Sequence, residues 1–214
     1  MSDRTRFGVL VSGSGTNLQA LIDASMTDGH PAEIAVVISN NEEAFGLERA
    51  RQAGIPAVHI GHKGKERAVF DQELVDTLVA HGVEWVALAG FMRILTPTFL
   101  SAFHNRVINI HPALLPSFPG THGQKQAFAA GVRITGATVH LVDSGTDTGP
   151  IVAQGAVPVL EADTEETLQQ RILSLEHCLF PMVFRWAAEG RVSVTDGRAS
   201  VDLPEGEQRF LWGA

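Results

Sequence analysis

The sequence predicts an α/β fold: a mostly parallel, twisted sheet with helices on both faces and a C-terminal hairpin tail. Three observations predict it. In the first half, short continuous apolar runs alternate with segments of helical period, the pattern of strands buried on both faces. The first run, RFGVLVS (6–12), leads through a glycine loop into a helix-patterned segment, NLQALIDASM (17–26). Beyond residue 111 the alternation stops, and two apolar runs follow one another with only a polar loop between them.

The remaining elements follow in order. EIAVVIS (33–39) reads as the second strand and EEAFGLERARQAG (42–54) as a helix stopped by Gly54. AVHI (57–60) is a short strand before a helix around 65–81, and WVALAG (85–90) and RVINI (106–110) are further buried strands. GATVHLVD (136–143) and PIVAQGAVPVL (150–160) are strands joined by SGTDTG (144–149). A helix begins near Asp163, which stands at capping-box spacing from Glu166. Leu168, Ile172, Leu175, Leu179 and Val183 then recur on one face, and Pro181 predicts a kink or break. RVSVTDGRASVDL (191–203) reads as a hairpin turning at Asp196-Gly197. With no repeat, low-complexity tract or linker, residues 1–214 are expected to form one domain: a front half (1–105), a second half (106–190) and a hairpin and tail (191–214).

Composition narrows the partners. A chain of 214 residues, 44% hydrophobic and 19% charged, can bury a substantial core. No apolar run approaches the roughly 20 residues of a membrane span. The N-terminus lacks the apolar stretch of a signal peptide. A lone cysteine, Cys178, excludes an intramolecular disulfide and suits a reducing, cytoplasmic setting. A net charge of −8 argues against a general nucleic-acid surface. Small molecules are the expected partners, without nucleic acid or membrane, for a monomer or homodimer.

Gly13, Ser14, Gly15, Thr16 and Asn17 lie between the first strand and first helix. Glycines admit a ligand close to backbone amides, and a helix N-terminus favours an anion, so the loop suits a phosphate. No Gly-Lys-Ser/Thr follows, and Leu18 stands where a dinucleotide fingerprint needs its third glycine. A single phosphate monoester therefore fits better than ATP or a dinucleotide. The competing reading is a tight strand–helix turn with no ligand.

The stretch NIHPALLPSFPGTH (109–122) sets an amide and an imidazole two residues apart at a strand end. Residues two apart in a strand share a face, so Asn109 and His111 converge where open α/β sheets bind ligands. An amide can donate to a developing oxyanion, and an imidazole can move a proton or stabilise that charge. A nearby carboxylate, Asp143 or Asp147, is expected to raise the histidine's pKa. The competing reading makes His111 a structural hydrogen-bonding residue and the aspartate a turn former. His140, inside a strand, reads as a buried, hydrogen-bonded core residue. Glu176 and His177 interrupt an apolar helix face, and Arg67 reads as a solvated helix residue. The scattered histidines contain no HExxH, so no metal site is expected.

Taken together, VLVSGSGTNLQALID, LAGFMRIL, NIHPALLPSFPGTH and GATVHLVDSGTDTGPIVAQ resemble the phosphoribosylglycinamide formyltransferases, over about residues 6–186. The N-x-H-P-x-L-L-P and D-x-G-P-I segments resemble the wider formyltetrahydrofolate-using group, and SGSGTNLQ the purine-synthesis branch. The resemblance implies a Rossmann-like formyltransferase fold. It also implies transfer of a formyl group from 10-formyltetrahydrofolate to the amine of glycinamide ribonucleotide, without ATP or metal. Gly15, Thr16, Asn17 and Glu176 would hold the ribonucleotide. Arg67, Met92, Arg93, Ile94, Leu95 and Asn109 would line the folate pocket, with backbone groups at Leu141, Val142 and Asp143. Asn109, His111 and Asp147 would be catalytic, with Asp147 keeping His111 charged. Residues 1–105 would then be the phosphate-binding half and 106–190 the catalytic and folate-binding half. Gln124 departs from relatives that carry a second histidine there.

The expected rivals are a formyltetrahydrofolate hydrolase, which would carry a further N-terminal domain, and a tRNA formyltransferase, which would need a nucleic-acid-binding domain. A non-catalytic binder of phosphate ligands, or a nicotinamide-dependent oxidoreductase, is the rival of another class.

Overall fold

The computed structural model describes residues 4–203 and 205–213; the outermost residues of the expected domain, 1–3 and 214, and residue 204 of its tail lie outside them. Ten strands and six helices follow in the order β1 (Thr5–Val11), α1 (Thr16–Ser25), β2 (Ala32–Ser39), α2 (Phe45–Gln52), β3 (Ala57–His59), α3 (Arg67–Ala80), β4 (Trp85–Leu88), α4 (Pro97–Ala102), β5 (Val107–His111), α5 (Gly123–Ala129), β6 (Ile134–Leu141), β7 (Ile151–Pro158), α6 (Glu165–Ala188), β8 (Val192–Thr195), β9 (Arg198–Val201) and β10 (Phe210–Trp212). Eight strands form one sheet in the order β10-β7-β6-β5-β4-β1-β2-β3. The β5–β6 and β6–β7 pairs are antiparallel and the other five are parallel. The change of pattern after residue 111 is this change of strand direction.

The core divides by sheet face. Leu18, Leu21 and Ile22 of α1 and Ile172, Leu179 and Val183 of α6 pack on Phe7, Val9 and Ile110, whereas Phe70 and Leu74 of α3 and Phe99 of α4 pack on Leu10, Val86 and Val107. Strands β1, β4 and β5 alternate between the two clusters, as the two-residue period requires.

The expected hairpin is present as β8–β9, a separate two-stranded sheet turning at Asp196 and Gly197. Three elements were not expected. Helix α4 begins at Pro97, which fixes φ at a first-turn position where no amide partner is needed. Helix α5 has too little apolar period to signal itself. Strand β10 adds three residues in parallel to β7. Two expectations at α6 are corrected. Its N-cap is Thr164, in a capping box with Thr167, because the Asp163 carboxylate is engaged by Arg171 and the Leu160 amide. Of the kink or break expected at Pro181, the break does not occur: the helix runs on through it, and its neighbours Leu179, Phe180, Val183 and Phe184 are all fully buried. That packing offsets the roughly 3 kcal/mol an interior proline costs.

Candidate active site

Strands β1, β4 and β5 are adjacent, so the loops leaving their C-terminal ends meet in one crevice. The loop after β1 is the glycine loop. Gly15 adopts φ 70°, a conformation that costs glycine nothing, and an added Cβ would lie 2.7 Å from Gly46 Cα of α2. Ser12 Oγ accepts from the Met92 amide at 2.9 Å, tying this loop to the one after β4. Ser12 to Asn17, Ala89, Gly90 and Met92 line a cavity of about 220 Å³. Two larger cavities lie elsewhere, at the opposite sheet end around His30 and between α6 and the C-terminal tail.

Helix α6 packs beside α1 and brings Glu176 to the glycine loop. Asn17 Nδ2 donates to Glu176 Oε2 at 2.7 Å, while Asn17 Oδ1 is buried without a partner among the described residues. Burial pushes the Glu176 carboxyl up to about 7, against the lowering effect of the Asn17 bond. A folded-state pKa above the unfolded value means the folded state binds the extra proton. Its stabilising contribution is full below the unfolded pKa of 4.5 and is lost as pH rises through about 7. The wild type is therefore expected to lose about 2–3 kcal/mol more stability than Glu176→Gln between pH 5 and pH 8. Urea unfolding of both proteins at the two pH values measures the difference.

At β5 the sheet places Asn109 opposite His140 and His111 opposite Thr138 on β6, all four on the same face. His111 is 3% exposed. Its Nε2–H donates to the Phe118 carbonyl at 2.8 Å, which fixes the tautomer, and its Nδ1 faces Asp147 Oδ2 at 3.3 Å. The loop carrying Phe118 is itself anchored. Thr138 Oγ1 donates to Ala113 O and accepts from Leu115 N, and Gln154 Nε2 donates to Leu115 O. Phe118 and Asp147 have φ of 57° and 55°, uncommon for residues with side chains, so both partners of His111 are held by their surroundings.

The Asp147 carboxylate also accepts from the Gly120 amide at 2.7 Å and lies 3.5 Å from His140 Nε2. Burial alone would raise its pKa, but the His140 ring, the Gly120 N–H and the His111 ring hold it below the usual carboxylate range. His111 departs from expectation. Asp147 and the Phe118 carbonyl pull its pKa up, but burial outweighs both and holds it below the ordinary histidine value. The neutral ring is the resting form, and Asp147 limits a depression that it does not reverse.

His140 is buried and hydrogen-bonded, as expected, but its partners are site residues. Its Nδ1–H donates to Leu141 O at 2.9 Å, leaving Nε2 at 3.1 Å from Asn109 Nδ2. Only its register opposite Asn109 could have assigned it, and register is not visible in one strand. Gly123 was also missed: a Cβ there would meet His111 Nε2 at 3.0 Å.

The expected folate residues fall into two groups. Met92 and Ile94 are exposed, and Arg93 lies over the Phe70 ring, 5.0 Å from its centre. Leu95 is 5% exposed and belongs to the same buried cluster as Phe70. Asp71 of α3 accepts from Thr96 N and Oγ1, both at 2.6 Å, joining this loop to the helix that Arg67 opens. Leu141 is buried, Val142 donates its amide to Val107 O, and Asp143 accepts from Gly145 N and Thr148 Oγ1. These bonds brace the loop that carries Asp147. Among the described residues, no three His, Cys, Asp or Glu side chains form a metal-ligating group, and no helix is long and apolar enough to cross a membrane.

The formyl transferase family profile matches residues 5–184. The chain is 43% identical over 196 residues to the phosphoribosylglycinamide formyltransferase of Escherichia coli, covering 91% of this chain and 92% of that protein. It is 50% identical over 210 residues to the trifunctional purine biosynthetic protein adenosine-3 of Drosophila pseudoobscura pseudoobscura, but 95% of this chain corresponds to only 15% of that much longer protein. Among solved structures, glycinamide ribonucleotide transformylase 1 from Symbiobacterium toebii superimposes with a TM-score of 0.90 at 49% identity, covering 92% of this chain and 94% of that one. A formyltetrahydrofolate deformylase from Pseudomonas syringae superimposes at 0.87 with 30% identity, and this chain covers 66% of it.

Proposed function

The chain belongs to the formyl transferase family, and from that premise we propose that it transfers the formyl group of 10-formyltetrahydrofolate to the amine of 5-phosphoribosylglycinamide. The products are formylglycinamide ribonucleotide and tetrahydrofolate, in purine synthesis. The observation that carries this reading is His111, held between the Phe118 carbonyl and Asp147 two strands from the glycine loop. Two strand spacings are about 10 Å. A ribonucleotide whose phosphate sits at Gly15, Thr16 and Asn17 can extend its amine across that span.

In this reading residues 1–105 hold the phosphate and residues 106–190 supply the chemistry and the donor pocket. The donor lies against Arg67, Asn109 and the stretch Met92, Arg93, Ile94 and Leu95, its ring recognised by backbone groups at Leu141, Val142 and Asp143. The amine attacks the formyl carbon, and negative charge grows on the formyl oxygen. One Asn109 N–H is engaged by His140, and the second, without a partner among the described residues, can donate to that oxygen. The neutral His111 ring takes the proton that the attacking nitrogen loses. The oxyanion and Asp147 both stabilise the imidazolium so formed, which then returns the proton to the departing folate nitrogen. No metal or ATP takes part in these steps. The acidic surface and the small-molecule crevice support a cytoplasmic enzyme without nucleic-acid or membrane partners, as a monomer or homodimer.

Tetrahydrofolate release from purified protein, measured with and without glycinamide ribonucleotide, tests the assignment. Release that requires the ribonucleotide supports it; equal release without it would make the protein a hydrolase. Asp147→Asn checks the proton path. Loss of the carboxylate removes one of the two groups that raise the His111 pKa, so the acid limb of kcat/KM is expected to move to lower pH. The rate should fall about 100- to 10,000-fold at the plateau. A pH–rate profile of the variant reads both effects.

A further inference from the structure

We propose that Arg49 is a positioning residue for the phosphate loop, aiming the loop amides at the acceptor's phosphate. This rests on the ribonucleotide-binding reading above. Arg49 stands on α2, outside the glycine loop, and is half-buried. Its Nε donates to Ser14 O at 2.8 Å, its Nη1 donates to Gln19 Oε1 of α1 at 3.1 Å, and its guanidinium lies over the Phe45 ring, 4.9 Å from the centre. The side chain is thus clamped on three sides, which an unspecialised surface cation does not need.

The geometry of a trans peptide gives this clamp its consequence. The C=O and N–H of one peptide plane point in opposite directions. Arg49 draws the Ser14 carbonyl towards α2, so the N–H of Gly15, in the same plane, is aimed away from α2. One plane earlier, the Gly46 amide draws the Gly13 carbonyl the same way at 3.1 Å and turns the Ser14 N–H with its neighbour. The next amides, of Thr16 and Asn17, belong to the first helical turn and have no intrahelical acceptor. None of the amides of Ser14 to Asn17 has a hydrogen-bond partner among the described residues. A run of open N–H groups lining a 220 Å³ cavity is a receptor for a compact anion. Arg49 adds a fixed positive charge behind it, and its planar guanidinium holds two acceptors at once, which an ammonium cannot do as rigidly.

The test compares Arg49→Met, Arg49→Lys and, as a charge control on the same helix, Arg51→Met. Arg51 is exposed and, among the described residues, pairs only with Glu48 along α2. The expected result is a 10- to 100-fold rise in KM for glycinamide ribonucleotide in Arg49→Met, the scale of losing one charge-assisted hydrogen bond. The KM for the folate and kcat should change less than about threefold, and the phosphate-free riboside should lose no affinity. Arg49→Lys should recover only a minor part, and Arg51→Met should match the wild type. Full recovery in Arg49→Lys would overturn the positioning role in favour of bare charge. An equal loss for the riboside, or a parallel fall in kcat and both KM terms, would make Arg49 merely structural. Calorimetric binding of ribose 5-phosphate keeps the test independent of turnover: weaker binding in Arg49→Met supports the proposal even if the wild type fails to transfer formyl groups, and unchanged binding overturns it.

Discussion

His111→Gln is expected to lower kcat/KM by about 1,000- to 10,000-fold while leaving the protein folded and able to bind the ribonucleotide. The magnitude is that of removing a general acid–base group from a site that also stabilises an oxyanion. Glutamine is the informative replacement because its amide can still donate to the Phe118 carbonyl, the bond that anchors the loop over the site. It cannot accept and return a proton. The loss of stability should therefore stay below about 2 kcal/mol, the cost of one imperfect hydrogen bond. Single-turnover kinetics and a urea melt on one preparation separate the outcomes. A stable, inactive variant supports the catalytic assignment. A variant that unfolds with its activity would make the histidine a structural corner, held by the same Phe118 and Asp147 contacts.

The expected sign of the His111 shift was wrong for a physical reason. A loop aspartate beside a histidine argues for a raised pKa, and Asp147 does pull upward. The sequence contains no measure of how deeply the ring is sunk between β6, the Phe118 loop and Gly123. Burial is the larger effect, and it moves the proton transfer into the reaction itself: the ring is neutral until the oxyanion appears beside it. The activity of the wild type should accordingly rise through an acid limb below the ordinary histidine pKa.

The parts that were legible are those written in local pattern. Strand alternation put Asn109 and His111 on one face, and the glycines after β1 announced a loop without side-chain obstruction. Motif resemblance singled out Asp147, whose loop is otherwise only polar. What stayed hidden depends on pairing between distant segments. His140 belongs to the site because β6 runs antiparallel to β5 in one register, and a shift of one residue would turn it away. Gly123 matters because α5 approaches His111 closely, yet nothing in GQKQAFA reveals that neighbour.

Gly15→Ala should have the second large effect, and it separates two costs that a glycine substitution usually merges. The first is backbone strain: a φ of 70° costs an alanine roughly 1–2 kcal/mol. The second is collision, because the new Cβ meets Gly46 Cα at 2.7 Å and Gly46 N at 3.3 Å. Backbone atoms cannot rotate aside as a side-chain end can, so the glycine loop must lift from α2. Lifting it breaks the Gly46 bond to Gly13 O and the Arg49 bond to Ser14 O, and the amides lose their common direction. Two or three charge-assisted bonds to phosphate weaken together, so the KM for glycinamide ribonucleotide should rise at least about 100-fold. Gly54→Ala supplies the comparison: φ is 71° there, but a Cβ meets nothing within 4 Å. It should lose similar backbone stability and keep the wild-type KM. If both variants bind the ribonucleotide normally, the loop after β1 is only a tight turn and the phosphate must be held elsewhere. If Gly15→Ala alone fails, the close approach of two backbones at Gly15 and Gly46 is what shapes the anion site.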